Sequence, residues 1–173
     1  MTGPLIIPSL VPSGDCCSSV VPAPGAEDAS VIANDGWFPD IDLAHFRRQA
    51  KVRDSVTVDR QREAVLGAII TVGNDLVAWA EARRAAGATK LAEVADVPNG
   101  LLGGEPRLVI LYRRAVYAFA KADLVERYRD VDLTAAGQRR VEDLDASVGE
   151  LRRDGAWAVR DMLGRTRTCG ELI

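Results

Sequence analysis

After Pro39 the chain meets proline only at Pro98 and Pro106, and none follows. Proline removes a backbone donor and clashes with the preceding turn, so helices are confined to the stretches it spares. In those stretches apolar residues recur at spacings of three and four, and no alternating pattern of useful strand length occurs. The expected fold is all-α: an antiparallel bundle of about four helices, one short and three long, behind an extended N-terminal arm. The boundaries are 1–36 for an acidic, Pro/Gly-rich arm, 37–164 for a helical domain and 165–173 for a C-terminal tail. At 173 residues and 47% apolar content the chain builds a core without disulfides or a structural metal.

The arm mixes Pro, Gly and Ser with short apolar groups such as Leu5, Ile6 and Ile7, or Val31 and Ile32. Two readings stay open for it: a free terminus, or an arm packed along its own fold or along a neighbouring subunit. Its charge is one-sided. Residues 1–46 hold Asp15, Glu27, Asp28, Asp35, Asp40 and Asp42 and no Lys or Arg, while the remaining 127 residues carry 22 bases against 19 acids. The start lacks a basic segment, and Pro4, Pro8 and Pro12 interrupt its apolar stretch, so neither a signal peptide nor a membrane span is expected there.

Asp40 or Asp42 is placed to cap a short helix reaching about Arg53, with Leu43, Phe46 and Ala50 on one face. Thr57 is the N-cap expected for a helix reaching Ala86, about 45 Å long. Its apolar stripe is Val65, Leu66, Ile69, Ile70, Val72, Gly73, Leu76, Val77, Trp79 and Ala80. Residues 89–106 form a connector whose Leu91 and Val94 tuck back onto the helices. Arg107–Arg129 carries two adjoining apolar stripes and reads as the central helix. A last helix is expected over residues 138–163, with a seam of Val141, Leu144, Val148, Leu151, Gly155, Ala158 and Met162, whose small members allow close approach to a partner.

Catalysis needs a nucleophile with a base, paired carboxylates in a cleft, or a metal. The glycines around Leu101 lack the following Lys-Ser/Thr of a phosphate loop. His45 has no Cys or second His near it in sequence, and Cys16, Cys17 and Cys169 have no metal-ligand spacing, which suits a reducing compartment. Clusters such as Arg113 and Arg114 are small, and a pI near 5.3 argues against a free DNA-binding domain. Repeated around a closed ring, however, such a cluster makes a basic belt. No enzyme, cofactor or metal site is expected.

Trp37, Phe38, Pro39, Asp40, Ile41 and Asp42, following a Pro-rich arm that opens Leu5, Ile6, Ile7, Pro8, resemble the head completion/stabilisation protein family (GPL) of temperate contractile-tailed phages. Further matches follow in order: Arg62, Glu63 and Ala64; Ala85, Ala86 and Gly87; Glu126, Arg127, Tyr128 and Arg129; and Trp157, Ala158 and Val159. They span essentially the whole chain. Trp37 departs from the family, which tends to Phe there, as do the Gly-rich residues 101–104 and a C-terminus containing Cys169.

The resemblance implies a virion component of the head-tail connector, assembled in the host cytoplasm. It implies docking on the dodecameric portal protein after DNA packaging, in a ring of twelve copies, with a joining surface for a tail completion or terminator protein. Packaged DNA would run near the channel, and no membrane is involved. Arg113, Arg114, Arg165 and Arg167 are the candidate partner contacts. The alternative is a helical DNA-binding packaging factor of the small terminase kind, but that calls for basic residues near the N-terminus, where this chain is purely acidic until Arg47.

Overall fold

The computed structural model describes residues 30–95, 100–129 and 147–167, with the side chains of Tyr128 and Arg129 excepted. Four helices account for most of these residues: α1 (Leu43–Gln49), α2 (Val58–Ala85), α3 (Arg107–Arg129) and α4 (Val148–Met162). The sequence-predicted helical plan holds, with two minimal antiparallel ladders added to it. Strand β1 (Val31–Ile32) pairs with β2 (Ile41–Asp42), and β3 (Leu101–Leu102) pairs with β4 (Glu105–Pro106). Two-residue strands carry no periodic signal, which is why a pattern search misses them. The second ladder turns through Gly103 and Gly104, both at positive φ (60° and 86°), the backbone that a two-residue hairpin of this hand requires.

The first ladder draws residues 30–36 into the fold, although composition placed them with the arm. Ile32 is enclosed in the core, and the Leu43 N–H donates to the Ser30 carbonyl at 2.7 Å. Of the two aspartates able to cap α1, Asp42 does so, accepting from the Ala44 N–H at 2.8 Å, while Asp40 accepts from the Asn34 N–H. The helix stops at Gln49 rather than near Arg53, because Lys51 takes a left-handed conformation (φ 50°) that breaks the helical repeat.

Thr57 caps α2 as expected, accepting from the Arg60 N–H, and the helix closes at Ala85 before Gly87. Leu91, in a 3₁₀ turn at Leu91–Glu93, is buried, and Val94 packs against the core. The last helix starts later than expected. Ser147 is extended and forms a capping box with Glu150, so α4 begins at Val148; residues 138–146, including Val141 and Leu144, lie outside the described residues.

Helix α3 lies between α2 and α4, which barely touch each other. Tyr112, Ala115, Val116 and Ala120 are wholly enclosed within it, so both of its apolar stripes are used. The small residues of α4 meet α3 of the same chain. A Cβ built on Gly155 falls 2.9 to 3.0 Å from ring carbons of Phe119, closer than any real side chain sits. Only glycine lets the two helices approach this far.

The variant Gly155→Val should lower stability by about 1–3 kcal/mol through overpacking against Phe119. Urea midpoints check this, and Phe119→Leu combined with it should recover much of the loss.

Candidate interaction surface

The segment from Trp37 to Asp42 fixes structure rather than presenting a site. One Asp35 carboxylate oxygen accepts the N–H groups of Trp37 and Phe38 at 3.0 and 2.9 Å, and the other meets Arg84 of α2. That turn drives both rings inward. The Trp37 indole donates to the Ala88 carbonyl at 3.1 Å and packs edge-on against Phe38 and Trp79, with the Arg84 guanidinium 4.9 Å from its ring centre. Phe38 stacks on Tyr112 at 4.6 Å, and the Asn34 amide donates to the Pro39 carbonyl and the Tyr112 hydroxyl. Ile41 is buried beside them.

At the other end of α3, Glu126 pairs with Arg152 of α4, and Arg127 pairs with Asp123 and with Glu63 of α2. These exposed pairs are worth under about 1 kcal/mol each, but together they register three helices. Trp157 is half-buried on α4, with the Arg153 and Arg167 guanidinium groups 4.7 and 5.3 Å from its ring centre. Arg167 also grips the Asp161 carboxylate in two-point fashion, holding it below the usual carboxylate range. The start of the tail thus folds back onto α4. Arg165 is exposed there, and its backbone N–H donates to the Arg160 carbonyl. On α3, Arg113 is ion-paired with Glu105 and Arg114 is exposed. Arg114 also acts electrostatically on Asp161, the carboxylate that Arg167 grips, while Arg113 is turned to Glu105.

A different surface stands out, within the apolar stripe that the sequence shows along α2. Along α2 the residues Val65, Ala68, Val72 and Leu76 are buried, while Leu66, Ile70 and Val77 are 41%, 63% and 53% exposed. At 100° per residue the exposed stripe lies about 135° round the helix from the buried one. Gly73 sits within the exposed stripe, and a Cβ built there meets nothing within 4 Å. Among the described residues α2 is also the one helix long and apolar enough to cross a membrane by length and composition, although 33% of that stretch is buried in the fold. Its apolarity exceeds what packing on α3 uses. The width of its apolar arc, too broad for one neighbour, was the available sequence signal.

Comparison with known proteins gives a consistent assignment. Residues 32–173 match the family described as phage head completion protein (GPL). The chain is 40% identical over 148 residues to the head completion/stabilization protein of Escherichia phage P2, covering 86% of this chain and 85% of that protein. It is 28% identical over 140 residues to the probable head completion/stabilization protein of Haemophilus phage HP1 (strain HP1c1), covering 81% and 90%. No solved structure matches.

Burial pushes the Tyr112 and Tyr117 phenols from the ordinary 10 up to about 12. The fold therefore retains protons that the unfolded chain releases. Stability should be full below pH 10 and fall as pH rises through 12. Absorbance titration of phenolate should show a late step, reduced by Tyr112→Phe or Tyr117→Phe.

Proposed function

The chain belongs to the phage head completion protein (GPL) family, and from that premise we propose that it is a structural part of the virion, seated as a ring on the portal once the genome is packaged. There it stabilises the filled head and offers the tail its joining surface. The observation that carries this reading is the family match across residues 32–173. The exposed stripe on α2 supports the ring in particular, since it is apolar surface that the isolated subunit leaves wet.

A structural role of this kind needs no reacting group. What it needs is an interface that forms only on a template. Covering half-exposed side chains such as Leu66, Ile70 and Val77 stabilises a contact by roughly 1 kcal/mol each, too little to hold two free subunits together. On a portal ring every subunit is held beside the next, and the same weak contact repeated around the ring becomes durable. The filled head is then sealed by many small contacts.

The test is negative-stain electron microscopy of the purified protein mixed with its cognate portal ring. Added rotationally symmetric density at the portal exit is the expected result; unchanged portal averages well above micromolar concentration would overturn the reading. Ile70→Glu should leave helicity and stability within about 0.5 kcal/mol of the parent, as surface changes do. It should nevertheless remove the added density. Normal assembly of that variant would take α2 out of the interface.

A further inference from the structure

The flank of α1 and the outer faces of α3 and α4 enclose an open cleft of about 590 Å³ that neither the head completion role nor the core accounts for. Its basic side chains are Lys51, Arg113, Arg114 and Lys121. Its acids are fewer: Glu105, which is ion-paired with Arg113, and Asp154, which leans toward Arg153 at 4.0 Å. His45 and Tyr117 meet within it through a 2.7 Å hydrogen bond between the ring nitrogen and the hydroxyl, and Ile110, Ala118 and Leu151 supply apolar wall. A mixed apolar and cationic cleft fits an acidic peptide segment. A nucleic-acid backbone fits less well, because Glu105 and Asp154 would face its phosphates.

The chain itself carries such a segment. β1 and β2 are antiparallel in the register Val31 with Asp42 and Ile32 with Ile41, and Ser30 continues it by accepting from Leu43. Ser30, the first described residue, therefore stands beside the start of α1. His45 is only two residues beyond Leu43. Asp28 and Glu27 precede Ser30 by two and three residues, a reach of about 7–11 Å. Upstream of Ser30 the chain has Asp15, Glu27 and Asp28 and no basic side chain. Asp35, Asp40 and Asp42 are already engaged by Arg84, Asn34 and the α1 cap, which leaves Glu27 and Asp28 as the acids of residues 1–46 next in sequence to Ser30.

We propose that the acidic segment at Glu27 and Asp28 docks in the cleft of its own subunit, against Lys51, Arg114 and Lys121. The inference is independent of the proposed portal role. It assigns the arm an internal binding site, and it makes the cleft a surface that another acidic segment reaches only by displacing the arm.

Carbodiimide, which joins a carboxylate to an adjacent amine as an amide, tests this on the full-length protein at low salt. Peptide mass spectrometry should find Glu27 or Asp28 linked to Lys51 or Lys121 and not to Lys90, the remaining lysine, which lies beside the 3₁₀ turn. In an equal mixture of isotopically light and heavy protein the links should join peptides of one label. The double variant Glu27→Gln/Asp28→Asn should acetylate at Lys51 and Lys121 several-fold faster than the parent, with Lys90 as internal reference. No links, links to Lys90 as often, mixed-label links, or unchanged acetylation would each overturn the proposal. So would protection of the two lysines by duplex DNA in a parent protein that gives no arm links, which would make the cleft a nucleic-acid seat.

Discussion

From within α3, Tyr112 stacks on Phe38 and accepts a hydrogen bond from Asn34, while further along the same helix Phe119 lies against Gly155 of α4. These two contacts hold the N-terminal ladder and the last helix to one central rod. Everything else follows from burying that rod on both sides. A helix covered by α2 on one face and by α4 on the other keeps its neighbours apart, and α2 and α4 scarcely touch. Each flanking helix therefore has one face to bury inside the subunit. Helix α4 is content with that. Helix α2, with 28 residues and two apolar stripes, is not, and no further element among the described residues reaches Leu66, Ile70 and Val77.

The residues that carry the family resemblance act mostly through this packing. Trp37 and Phe38 are turned inward by the Asp35 carboxylate, Asp42 starts α1, and Glu126 and Arg127 register α3 against α4 and α2. The family resemblance thus rests largely on how the helices are pinned to one another. The outward features, the α2 stripe and the cationic cleft, lie between those pins.

Much of this was legible in the sequence. Thr57 and the Ala86-Gly87 end bracket α2, the two stripes of α3 announce a helix buried on both sides, and Gly155 marks a close approach. Three things were not. The capping choice between Asp40 and Asp42 depends on Asn34, which is placed only once the first ladder has formed. The polar Gln61 looks like a surface residue, yet it is buried because its amide donates to the Val56 carbonyl at 2.9 Å. Leu66, Ile70 and Val77 share one apolar stripe with the buried Val65, Val72 and Leu76, because hydrophobic spacing records that a face is apolar and not which molecule covers it.

The central claim is that α2 carries apolar surface for a neighbour rather than for its own subunit. A cryo-electron microscopy reconstruction of the neck of the intact particle, at side-chain resolution, tests it most directly. The account predicts Leu66, Ile70 and Val77 buried against an adjacent protein chain, with the α3 to α4 packing at Gly155 unchanged. A reconstruction in which these three side chains face open solvent while the subunit contacts run through other helices would contradict it.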